Sequence, residues 1–295
     1  MTYLLIAVLV VLIVSHYSPD LVRLRRYDWF AGYLANLGAR LGAAMWQRPT
    51  TLLIVLALPL VAIGVIQSLL AHPANGVFGL VFATIVLFLA WGPRDLDRDI
   101  EAVAAAVPSE QPVEAVLKLQ APLPVTGAGF ASAAGRAGLR RWFGPLFWFV
   151  LLGAFGAALY RLAQLAAEED LDVLPPEQRG VALRLLAILD WPVVHLMALA
   201  MAVATDFDTV VRAWRARMHV AGGAFVLDEQ LLPAVTAAAV KADLEAEGDA
   251  GVEGFDDPAP IDRGPLLRDA QAVAWRVLIV WLAVIGLVAL ASLLG

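Results

Sequence analysis

Residues 140–208 decide the fold. They read RRWFGPLFWFVLLGAFGAALYRL (140–162), then a connection holding the acidic run EEDLDVLPPEQRG (168–180), then VALRLLAILDWPVVHLMALAMAVATDFD (181–208). Two apolar runs flank a charged connection, and the second run carries Asp190 and His195 among Leu, Ala and Val. An ionisable residue inside a lipid-embedded helix costs roughly 2.5–3.5 kcal/mol on insertion scales, so its presence points to a function or to a specific packing contact. Trp191-Pro192 follows Asp190, and the proline removes a backbone donor and predicts a kink.

The same character extends along all 295 residues: 61% are hydrophobic, 16% are charged, and the mean hydropathy is +0.76. Soluble domains carry about a quarter charged residues. The expected class is therefore an all-α, polytopic membrane protein, taken as a single membrane domain over 1–295. Apolar runs place six spans at about 3–17, 50–71, 77–91, 145–165, 181–204 and 277–294. The first is short enough that a half-buried or tilted segment competes with a full crossing. Its N-terminus lacks the basic flank and small-residue cleavage site of a signal peptide. In the fourth, Gly153, Gly156 and Ala157 form a small-residue stripe that admits a close helix neighbour.

Between the spans, three basic segments stand out. Residues 18–48 hold five Lys or Arg, 92–144 hold six, and 205–273 hold six; 72–76 holds none and 166–180 holds one. The positive-inside tendency puts the loops 18–48, 92–144 and 205–276 in the cytoplasm of a bacterial inner membrane, and six crossings put both termini in the periplasm. In 21–48, Leu34, Leu37, Leu41 and Met45 recur at helical spacing among arginines and aromatics. That pattern fits an amphipathic helix on the membrane surface or one packed on the other loops. Helices are also expected from the charged run 94–99 through Val107 and at 114–119, 130–141, 207–218 and 229–247, with a mobile acidic loop at 248–265.

Composition excludes several chemistries. Cysteine is absent, which removes disulfides, thiol catalysis and thiolate metal sites. The net charge of −6 argues against nucleic acid as a partner. No phosphate-binding loop, dinucleotide fingerprint or G-x-S-x-G elbow occurs, and the four histidines are scattered, so no catalytic residue, cofactor or metal site is assigned. Asp190 and His195 remain, five positions apart, with Arg161, Arg184 and Arg140 near them in sequence as candidate partners. They form either a ligand or proton site or a polar contact that fixes helix packing. Asp95, Asp99, Asp206 and Asp208 are the carboxylates that would mark an enzyme, were they to converge on one cavity. Read plainly, Asp95 and Asp99 belong to a self-neutralising charged run, and Asp206 with Asp208 opens a helix.

Pro145-Leu146-Phe147-Trp148, Gly153 to Tyr160-Arg161, and Leu189-Asp190-Trp191-Pro192 resemble AmpE, a bacterial inner-membrane protein family. AmpE is in turn distantly similar to the CobD/CbiB synthases, which join an aminopropanol to adenosylcobyric acid. The resemblance covers about 140–204, with the order of elements fitting elsewhere. It implies a regulatory or sensory role in β-lactamase induction and peptidoglycan recycling, and as partners membrane lipid and a cell-wall fragment or protein, with homo-oligomers left open. The synthase's Glu-Asn…Asp cluster is replaced here by Arg136, Ala137 and Arg140, and its Asn-Thr-Leu-Asp by Gln164-Leu165-Ala166-Ala167. Carboxylates suited to magnesium or to activating an amine are thus missing. The alternative function is a related amide-forming synthase acting on another substrate. A transporter is a third reading, opposed by the lack of an internal repeat.

Overall fold

The computed structural model describes residues 2–17, 21, 24–71, 76–92, 96–105, 126–168, 173–223, 226–248, 255–256 and 263–294. Among them all regular structure is helical. The expected helix at 114–119, the turn at 72–75 and most of the loop 248–265 lie outside the described residues. The helices are α1 (Thr2–Tyr17), α2 (Asp28–Leu41), α3 (Ala43–Trp46), α4 (Thr51–Leu70), α5 (Gly76–Ala90), α6 (Leu96–Ala105), α7 (Gly127–Gly138), α8 (Gly144–Leu152), α9 (Ala154–Ala167), α10 (Pro176–Ala204), α11 (Phe207–Ala221), α12 (Leu231–Glu247) and α13 (Arg263–Leu294). A π-helical turn, Leu139–Phe143, joins α7 to α8.

Where the sequence reads as a single domain, packing divides the chain into two compact units. One comprises Met1–Pro93, Gly144–Asp190 and Val288–Gly295, the other Arg94–Phe143 and Trp191–Leu287. Among the described residues, three stretches are long and apolar enough to cross a membrane: Thr51–Leu70, Pro176–Ala204 and Leu266–Ser292. Leu4–Ser15 and Gly76–Ala90 are apolar but shorter. At 1.5 Å per residue, α5 spans only about 22 Å, against about 30 Å of hydrocarbon.

The first unit is built around α9. Nearly every residue of this helix is buried, including Tyr160, Arg161 and Gln164. It packs against α8, α4 and α5. Leu52, Val55 and Leu56 of α4, Phe30 and Leu34 of α2, and Leu186 and Leu189 of α10 complete that core. On α1, Leu4, Ala7, Val8 and Val11 are buried at helical spacing, and α1 lies against α5.

One expected span is corrected. Residues 145–165 are not one helix but a hairpin of two. Gly153 adopts φ +69°, a conformation that other residues reach only with strain, and the chain reverses there. A Cβ on Gly144 would overlap the Tyr160 ring, and one on Gly156 would overlap the Trp148 carbonyl, so α8 and α9 run antiparallel in backbone contact. The stripe of small residues thus brings together the two limbs of one hairpin. The limbs, about 13 and 21 Å long, are each shorter than a bilayer core. The six-crossing count, and the periplasmic placement of both termini built on it, loses its fourth crossing.

The expected apolar stripe of 21–48 is also interrupted. Gly42, at φ +76°, separates α2 from α3, so Phe30 and Leu34 face the core while Met45 is exposed. Pro192, by contrast, does not end its helix, and α10 runs unbroken through it.

The second unit packs α7 on α12 and α11 on α12. Gly135 abuts Thr236 too closely to admit a Cβ, and Ser132 donates to the Pro233 carbonyl at 3.2 Å. Its helix ends carry local stop and start signals. Thr126 caps α7 by accepting from the Gly129 amide. Gly222, in the left-handed region, closes α11, where Gly223 N donates to the Met218 carbonyl.

Candidate functional site

The stretches 145–148, 160–161 and 189–190 meet in the first unit. The Tyr160 hydroxyl donates to Asp190 Oδ1 at 2.6 Å. Trp148 Nε1 donates to the Leu189 carbonyl at 3.1 Å. Gly144 lies against the Tyr160 ring. Tyr160 is fully buried and Asp190 half-buried. A buried carboxylate needs a donor, and here a tyrosine supplies one.

Arg161, next to Tyr160, serves a different place. Its Nε, at 2.7 Å, and its Nη2 both donate to the Ala90 carbonyl, and Nη1 donates to Gln164 Oε1 at 2.5 Å. Two further donors meet the chain at the same helix end. Tyr27 Oη donates to the Leu89 carbonyl at 2.5 Å, and Arg25 Nη1 to the Gly92 carbonyl at 3.1 Å. Arg25 also stacks over Phe88 and donates to Ser15 Oγ. The C-terminal carbonyls of α5 lack intrahelical partners and carry partial negative charge, so the Arg161 guanidinium and the Tyr27 phenol complete them, while Arg25 holds the chain two residues beyond. Burial pushes the Tyr27 hydroxyl above its ordinary pKa, against the opposing fields of Arg161 and Arg25.

The hairpin turn has its own clasp. Gln67 on α4 accepts from the Phe155 amide at 2.9 Å and donates to the Leu152 carbonyl at 3.1 Å. One side-chain amide thus satisfies a donor and an acceptor freed by the reversal at Gly153. Gln67 is absent from the residues singled out by sequence, and Tyr160 enters there only within the stretch that carries the resemblance. The signal for Gln67 is its lone amide near the end of an otherwise apolar run.

The remaining candidates lie elsewhere. Arg184 is exposed on α10. His195 belongs to the second unit. Its ring lies 4.7 Å from that of Trp191 and 5.9 Å from that of Trp214, and its Nδ1 is 2.8 Å from the Trp191 carbonyl. A carbonyl only accepts, so Nδ1 carries the proton; Nε2 is buried with no hydrogen-bond partner among the described residues. Tyr160 meets Asp190, the α5 terminus and Gln164 meet Arg161, and two tryptophans flank His195. Arg140 is half-buried in the π turn. It acts on Arg136, whose pKa is lowered by burial and then by the Arg140 charge, against a counter-effect from Glu229.

Of the four aspartates, Asp99 forms a nearly buried ion pair with Arg141 at 2.8 Å. Asp206 caps α11 by accepting from the Thr209 amide at 2.7 Å, and the Thr209 hydrogen bonds lower its pKa. Asp208 is exposed, and Asp95 lies outside the described residues. Among the described residues no three His, Asp or Glu side chains gather as a metal site requires.

Comparison of the chain with protein-family models, with curated proteins and with solved structures found no match.

Proposed function

We propose that the chain is an AmpE-like modulator in a bacterial inner membrane, linked to β-lactamase induction and peptidoglycan recycling. It acts through contacts with a ligand or partner protein rather than by catalysis. In this reading α4, α10 and α13 cross the bilayer, helped by the shorter α1 and α5, and the basic segments 18–48 and 92–144 face the cytoplasm. The α8–α9 hairpin and the first half of α10 are the responsive element.

One observation supports this above the others. The residues that carry the AmpE resemblance contact one another: Trp148 reaches Leu189 and Tyr160 reaches Asp190. A likeness confined to residues that interlock concerns one packed element and not scattered chance matches. Two states of the Tyr160–Asp190 bond would give such an element a means of switching.

The test is deletion of the gene in its native host, with β-lactamase measured before and after a β-lactam inducer. Deletion should change the induction ratio severalfold. The wild-type gene should restore it, and Tyr160→Phe or Asp190→Asn, at equal membrane abundance, should restore it less. An unchanged ratio in the deletion strain would sink the proposal.

A further inference from the structure

We propose that the groove between α2 and α4 binds one anionic phospholipid. Asn36 and Arg40 take its phosphate, and Trp29, Tyr33, Leu37 and Leu58 line the path of an acyl chain. This rests on reading the chain as a membrane protein, and does not depend on its part in signalling.

The groove has a volume of about 450 Å³, within the range of small-molecule sites. Its α2 wall follows from spacing: positions 29, 33, 36, 37 and 40 fall on one helix face over three turns. Phe30 and Leu34 point from the same helix into the core, which fixes how the other face is turned. Tyr33 Oη donates to the Val55 carbonyl at 2.7 Å, tying this wall to α4. The Trp29 ring packs on Tyr33 at 6.4 Å, so two aromatic side chains form one continuous stretch of this wall. Leu58, on the opposite wall, is 61% exposed on a helix apolar enough to cross a membrane.

Polarity changes along the groove in the sense a phospholipid requires. One end is apolar. At the other, Asn36 and Arg40 are both exposed, and no hydrogen bond or ion pair engages the Arg40 guanidinium among the described residues. Gly32 keeps the middle open, since a Cβ there would meet nothing within 4 Å. An anionic headgroup supplies the charge Arg40 lacks, and its chain covers the apolar wall.

The test is native mass spectrometry of the full chain in mild detergent. It is titrated with phosphatidylglycerol, with phosphatidylcholine of the same acyl chains, and with inorganic phosphate. Phosphatidylglycerol should give its first adduct at about fivefold lower concentration than phosphatidylcholine, and Arg40→Gln should abolish that preference. Gly32→Leu fills open space, and Leu58→Trp fills it from the other wall; both should remove the first adduct of either lipid at unchanged melting temperature. The groove is overturned if both filling variants keep that adduct, if wild type does not discriminate between the lipids, or if inorganic phosphate alone displaces it. Failure of the membrane reading is distinct: the chain would then wash off membranes without detergent.

Discussion

The two units differ in what their least exposed arginines meet. In the first, buried Arg25 and Arg161 donate to main-chain carbonyls at the end of α5. In the second, Arg141, Arg217 and Arg276 meet Asp99, Asp228 and Asp243. A guanidinium on a helix C-terminus works against a partial charge, and its loss leaves unsatisfied carbonyls. A guanidinium on a carboxylate works against a full charge, and its loss leaves an ion stranded out of water. The two units should therefore differ in what a single truncation costs.

The largest effect belongs to the second unit. Asp99→Ala removes a carboxylate from the nearly buried Arg141 and should destabilise by about 3–5 kcal/mol, read as a lowered melting temperature in detergent. Asp99→Leu combined with Arg141→Met should recover most of the loss; if it does not, the pair is not a closed two-charge system. In the first unit, Arg161→Met should cost less, about 1–3 kcal/mol, with hydrogen exchange accelerated selectively at the end of α5. A cost equal to that of Asp99→Ala would erase the contrast. Tyr160→Phe removes one hydrogen bond to a carboxylate and should cost about 1.5 kcal/mol, with the hairpin still formed.

The smallest effect is set by pH. For Asp228, burial raises the carboxyl pKa, but the Arg217 hydrogen bonds and the Gln230 amide outweigh it and leave the pKa lowered. A carboxyl whose folded pKa lies below its unfolded value stabilises above the unfolded value, and that stabilisation fades as pH falls through the folded one. The link from α11 to α12 should hold at neutral pH and loosen only below the ordinary carboxylate range. Amide exchange at Gln230, measured from pH 6 downward, checks this.

How much of this is legible in the sequence varies with the range of the contact involved. Helices at 2–17, 51–70 and 76–90 follow from apolar runs and turn residues alone. The Asp206 cap follows from one side chain ahead of a helical pattern. Gly153 is different. A glycine in an apolar run reads as a tolerated membrane glycine, and its left-handed backbone depends on Gln67, 85 or more positions earlier in the chain. The same holds at the site. Asp190 is conspicuous as an acid in an apolar helix, but its partner Tyr160 is a residue whose apolar ring hides its polar end. Arg161 lies one position from Tyr160, and the helical turn sends it to another set of neighbours.

Gln67 also constrains the order of biogenesis. The chain is made from its N-terminus, so α4 is complete before residue 144 leaves the ribosome. A reversal with open amides and carbonyls is poorly tolerated in hydrocarbon, yet here the side chain that closes it is already in place. Insertion of the hairpin is thus templated by an earlier segment of the same molecule. A chain carrying Gln67→Leu should stall as a late intermediate, with α1 to α5 inserted and residues 144–167 open to protease.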